Sequence, residues 1–130
     1  MTVILLVDDE KSVLDSLRDQ LGSLFPEGVE CEAAESAEEA WEVLEALNSQ
    51  GVQILVVVSD WLMPGQRGDE FLARVRARFP RIGRILLTGQ ADPGVLESAR
   101  SEGIVHRILS KPWRPDDLRA AIEQSIHGDE

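Results

Sequence analysis

Five short apolar runs alternate with amphipathic segments along this chain, and that alternation restricts its fold more than any other feature. The runs cover residues 3–7, 29–33, 54–58, 84–88 and 104–109. Several are rich in β-branched residues, as expected of strands buried on both faces of a parallel sheet. Between them, apolar residues recur three and four apart, the spacing of a helix with one buried face. Leu14, Leu17, Leu21 and Leu24 make the first stripe, and Ala37, Ala40, Trp41, Leu44 and Leu47 the second. Phe71, Leu72, Val75 and Phe79 make the third, Val95, Leu96 and Ala99 the fourth, and Leu118, Ala121, Ile122 and Ile126 the fifth. Ser36 followed by Glu39 reads as a capping box, and Pro93 and Pro115 stand where first-turn prolines belong. Five β-α units predict an α/β fold, a doubly wound five-stranded parallel sheet. Such folds place ligands beyond the carboxyl ends of their strands.

The polar residues that follow the runs all fall on that edge. The first run passes directly into Asp8, Asp9 and Glu10, the third into Ser59 and Asp60, the fourth ends on Thr88 before Gly89, and the fifth leads to Ser110, Lys111 and Pro112. Three converging carboxylates repel one another and raise some pKa values unless a cation joins them. An all-oxygen donor set selects a hard ion, and Mg2+, held by a few carboxylates, waters and a phosphate, fits it. Thr88 offers a hydroxyl donor and Lys111 a point charge, the groups that a phosphoryl group's remaining oxygens require. No Ser-His pair or activated cysteine is evident, so the nucleophile expected here is a carboxylate, which can form an aspartyl phosphate.

Composition excludes several other classes. The chain has 130 residues, 43% of them apolar, enough for one folded domain and too apolar for intrinsic disorder. Its longest apolar run is far too short to span a membrane, and the acids at positions 8–10 interrupt any secretory signal. A single cysteine, Cys31, fits a reducing compartment and a cytoplasmic location, and reads as a half-buried small hydrophobe. The net charge of −11 disfavours direct nucleic-acid binding. The acidity is uneven: residues 1–66 hold 14 acids and two bases, whereas residues 67–130 hold 10 acids and 11 bases. Most of the excess lies in residues 27–45 and reads as solvated surface. Arg67, Arg74, Arg76, Arg78, Arg81 and Arg84 read as a solvated face too, lacking interleaved exposed aromatics. His106 is expected to be a partly exposed strand residue, and Trp61 a partly exposed wall of the site. Asp116 and Asp117 favour the dipole of the last helix.

The stretches VILLVDDEKSVL, VVVSDWLMPGQRGDEFL, Thr88-Gly89 after RILL, and SKPW resemble the four signatures of the receiver domain of bacterial two-component response regulators. The resemblance spans essentially the whole chain, in the family's order. It implies a flavodoxin-like (βα)5 fold with strand order 2-1-3-4-5, and a single receiver domain over residues 1–130 with no effector domain. It implies that Asp60 accepts the phosphoryl group, that Asp8, Asp9, Asp60 and the backbone carbonyl of Leu62 hold Mg2+, and that Thr88 and Lys111 contact the transferred group. It further implies a cis bond before Pro112 and turn positions at Pro64 and Gly68. The implied partners are a sensor histidine kinase or phosphotransfer protein and a downstream effector domain or protein. The receiver would catalyse its own phosphorylation and slow hydrolysis, without being a conventional enzyme. Phosphorylation would alter the surface of the fourth helix, fifth strand and fifth helix, through which a homodimer is plausible.

The pattern also departs from the family. Ile108 stands where Phe or Tyr is common three residues before the lysine, so signalling by an aromatic rotamer is not expected, and Thr88 would act by loop movement. Gly89 should keep the pocket open. Leu62 cannot orient a water through its side chain, which predicts slow self-hydrolysis that Gln90 could offset. Trp113 suits either a cover over the fifth strand or a partner contact. Two other classes stay open at this point. One is a phosphorylation-independent receiver-like interaction module, against which the intact acidic, Thr88 and Lys111 set argues. The other is a haloacid-dehalogenase-like phosphatase, whose Asp-x-Asp pattern after the first strand differs from Asp8-Asp9-Glu10.

Overall fold

The computed structural model describes residues 2–25, 27–89 and 93–129. Strands β1 (Thr2–Val7), β2 (Val29–Ala34), β3 (Gln53–Asp60), β4 (Gly83–Thr88) and β5 (Arg107–Ser110) form one parallel sheet in the order β2-β1-β3-β4-β5. Side chains alternate across it, as strand geometry requires. Leu5, Val7, Val57 and Leu86 face helices α2 (Ala37–Ser49), α3 (Gly68–Arg78) and α4 (Pro93–Ser101). Ile4, Leu6, Val56, Val58, Ile85 and Leu87 face α1 (Lys11–Leu24) and α5 (Pro115–Ser125). This is the predicted doubly wound arrangement.

The expectation of strands buried on both faces holds for β1, β3 and β4 and fails at the edges. β2 alternates half-buried with exposed residues up to Ala34, and none of the four residues of β5 is fully buried. Each of these strands has a neighbour on one side only, so its outer edge meets solvent. β5 also begins later than the apolar run. Ile104 and Val105 donate their amides to the Ala99 carbonyl, closing α4, and pairing with β4 starts as the His106 amide reaches the Arg84 carbonyl at 2.8 Å.

Local signals mostly act as predicted. Ser36 Oγ accepts the Glu39 amide at 3.1 Å, but the Glu39 carboxylate reaches back to the amide of Glu35 rather than Ser36. Pro93 and Pro115 open their helices, and the Lys111–Pro112 bond is cis. Gly68 is the first residue of α3 rather than a turn residue. Arg84 requires a correction: it is 0% exposed, inside β4, and belongs to no solvated face.

Candidate functional site

Sheet register brings the strand ends together. Val7 pairs with Ser59, which places Asp8 beside Asp60, and Thr88 pairs with Ser110, which places Lys111 next to both. The Lys111 amide donates to the Thr88 carbonyl at 2.8 Å and the Trp61 amide to the Leu87 carbonyl at 2.9 Å, so both neighbouring strands extend into the site. Lys111 Nζ donates to Asp8 Oδ2 at 2.8 Å and to Asp60 Oδ1 at 3.1 Å. Asp8 is fully buried, and its other oxygen accepts the Glu10 amide at 2.8 Å. Asp60 and Thr88 are each only 6% exposed, at the base of a cavity of about 330 Å³ that Asp9, Trp61, Leu62 and Gly89 also line.

Charge in this cavity is unbalanced. Burial pushes the Asp60 carboxyl above its ordinary range; the bond from Lys111 opposes this, while Asp8 and Asp9 add to it. Burial pulls Lys111 down, but its bonds to Asp8 and Asp60 outweigh that and leave the ammonium above its ordinary value. Carboxylate oxygens of Asp8, Asp9 and Asp60 lie within 4.8 Å of one another. One lysine therefore faces three acids, and a hard divalent cation suits both the residual charge and the oxygen donors. Because Lys111 competes for the same oxygens, Lys111→Met is expected to make Mg2+ raise the melting temperature more than it does for the wild type. Equal Mg2+ shifts in a thermal scan would refute this competition. The raised Asp60 pKa also fixes a sign. Mg2+ affinity should fall as pH drops into the range just above ordinary carboxylate values, as titration calorimetry can measure.

The structure gathers Asp8, Asp9, Asp60, Thr88 and Lys111 and sets Leu62 on the rim, its side chain 53% exposed. Gly89 leaves open space, since among the described residues an added Cβ would meet only Lys111 carbons at 3.9 Å. Gln90 lies outside the described residues. Trp61 differs from expectation: it is buried, with 8% exposure, and its indole N–H donates to Asp69 Oδ1 at 3.0 Å. Arg67 grips the same carboxylate through Nε and Nη2. This brace stiffens the loop after Asp60, and its eight-residue separation left no periodic signal in the sequence. Trp113 packs over the α1/α5 side, donating its indole N–H to Gln20 Oε1 at 2.6 Å.

Comparison with known proteins agrees with this geometry. The family model described as the response regulator receiver domain matches residues 4–123. The hydrogenase transcriptional regulatory protein HoxA of Cupriavidus necator is 35% identical over 95% of this chain, which spans only 24% of that protein. The DNA-binding transcriptional regulator NtrC of Escherichia coli K12 is 32% identical, again with 24% of its length matched. The chemotaxis protein CheY1 of Helicobacter pylori J99 is 31% identical over 92% of this chain and 93% of its own. Among solved structures, a response regulator receiver domain protein from Clostridium thermocellum superposes with a TM-score of 0.82 at 30% identity, covering 97% of this chain and 94% of that one. With its sheet order, its strand-end residues and these relatives in agreement, this chain belongs to the response regulator receiver domain family.

Proposed function

We propose that Asp60 accepts a phosphoryl group from a phosphohistidine of a sensor histidine kinase or phosphotransfer protein. The observation that carries this reading is Lys111 Nζ bridging Asp8 and Asp60 at the base of the cavity beside Thr88. Lys111 engages Asp60 Oδ1, which leaves Oδ2 as the attacking oxygen. An Asp60 oxygen–phosphorus bond forms as the phosphorus–nitrogen bond of the donor breaks, and the imidazole leaves with its electron pair. Lys111 and the Thr88 hydroxyl then stabilise the phosphoryl oxygens. Asp9, Asp60 and the Leu62 carbonyl, with Asp8 behind them, would hold Mg2+. When bound, Mg2+ offsets negative charge on the phosphoryl group.

Return of the site needs water, and the side chain of Leu62 has no group to orient it. The acyl phosphate is therefore expected to persist for minutes or longer; decay within seconds, followed by radiolabel, would contradict this role for Leu62. Thr88 engagement shifts the β4–α4 region and, with it, the surface of α4, β5 and α5, through which a homodimer or an effector contact would form. Ile108 is half-buried against the core, so no aromatic rotamer carries the change. Residues 4–123 act here as a receiver domain; among the described residues no helix is long and apolar enough to cross a membrane. Beryllofluoride with Mg2+ tests the reading. Amide shifts at Asp60, Thr88 and Lys111 that require both components support it, and identical spectra with and without them would refute it.

A further inference from the structure

At the opposite end of β4, Arg84 is 0% exposed and spends every guanidinium donor within the fold. Nε donates to the Ile104 carbonyl at 2.6 Å, Nη1 to the carbonyls of Pro80 and Ile82, and Nη2 to the Gly103 carbonyl and Asp129 Oδ1. Four partners are neutral, so Asp129, at 2.8 Å, is the buried cation's counter-ion. The same carboxylate meets Arg76 Nε at 3.3 Å and His106 Nε2 at 3.1 Å. His106 is oriented for this contact: its Nδ1 accepts the Arg84 amide at 3.0 Å, which places the ring proton on Nε2, facing Asp129.

The chain after α5 turns specifically to make this contact. Gly128 has φ +54°, and a Cβ there would lie 2.3 Å from the Arg81 backbone, so only glycine permits the turn. The Gly128 amide donates to the Ser125 carbonyl and the Asp129 amide to the Pro80 carbonyl at 2.9 Å. We propose that Arg84, Arg76 and His106 form a carboxylate-binding site at the foot of the sheet, filled in cis by Asp129, which latches the segment after α5 onto β4 and the start of β5.

The latch is sensitive to acid. His106 faces Arg84 on β4 and Asp129 and Gly128 from the C-terminal segment, with Arg76 of α3 behind Asp129. Burial, and then the Arg84 charge, hold His106 below the ordinary histidine value despite the pull of Asp129. Burial pushes Asp129 up, but Arg84 and His106 outweigh it and keep this carboxyl below the usual range. A histidine with a depressed folded pKa contributes stability above its unfolded value and loses it as pH falls through the folded one. Protonated Nδ1 would present its proton to the Arg84 N–H, so acid breaks the latch at His106 before it reaches Asp129.

Hydrogen exchange on the full chain tests this. Asp129→Ala is expected to speed exchange of the amides at positions 106, 128 and 129 by about tenfold or more. Arg76→Gln, which removes only an exposed arm of the site, should speed the same amides by less. Formate, set against chloride of equal ionic strength, should raise the melting temperature of Asp129→Ala but not of the wild type. After correction for intrinsic rates, acid should loosen these amides in the wild type and not in His106→Gln. Unchanged exchange in Asp129→Ala, equal effects of formate and chloride, or an identical acid response in His106→Gln would each overturn the proposal.

Discussion

Asp60→Asn is expected to abolish phosphoryl uptake from any donor and to raise the melting temperature at neutral pH in the absence of Mg2+. The first effect follows because the amide offers no anionic oxygen to attack phosphorus. The second follows from electrostatics. Burial raises the Asp60 pKa, so the folded state binds a proton there more readily than the unfolded chain. Stability from this group is therefore fully present below the unfolded pKa and lost as pH rises through the folded one, so the ionised form is a cost at pH 7. Asparagine removes that cost, while Asp8 remains as the partner of Lys111. A thermal scan should show the advantage shrinking in acid and in saturating Mg2+. A variant less stable than wild type at neutral pH would mean that Lys111 already compensates the acidic cluster.

Gly68→Ala is the second large effect, and it acts on fold and site together. The Gly68 amide donates to the Trp61 carbonyl at 2.7 Å, closing the loop that follows Asp60. An added Cβ would lie 1.9 Å from the Asp60 carbonyl oxygen and 3.0 Å from Leu86 Cδ1. No flexible side-chain end can yield there, so α3 must retreat from β3. Overpacking of this kind costs roughly 1–3 kcal/mol, and the backbone contact puts this substitution at the upper end. Mg2+ binding should weaken as well, since the displaced loop carries Leu62. Gly22→Ala is the matched control: it sits inside α1, and among the described residues nothing lies within 4 Å of its would-be Cβ. There alanine should stabilise the protein by ~0.5–1 kcal/mol through helix propensity. Denaturant melts of both variants check the contrast, and equal effects would contradict the close-approach argument.

The central strands were legible because β1, β3 and β4 lie between two helical layers and so read as unbroken apolar runs. The strand ends were equally legible, since parallel sheets collect their polar residues on one edge. Asp8 and Lys111 are 103 residues apart in sequence, yet strand-end position alone placed them together. Other features had no local signature. A lone arginine at the head of RILLT looks like a solvated strand start, and Arg84 becomes buried only because carbonyls from two loops and a carboxylate 45 residues away converge on it. Trp61 looked like a half-open wall because its partner, Asp69, follows no strand or helix period. The edge strands were misread for a simpler reason: an apolar run does not reveal which of its sides lacks a neighbour. β5 shows this most clearly, since Ile104 and Val105 are apolar enough for a strand but close α4 instead, and pairing with β4 starts only at His106.

The central claim, that Asp60 is the phosphoryl acceptor, is tested most directly by chemical trapping. The full chain is incubated with Mg2+ and a phosphohistidine donor, reduced with borohydride, digested and sequenced by mass spectrometry. An acyl phosphate on Asp60 predicts reduction of that side chain to the alcohol at position 60 alone, dependent on donor and Mg2+. Reduction at another carboxylate, or phosphate retained on a hydroxyl or histidine with position 60 intact, would contradict it.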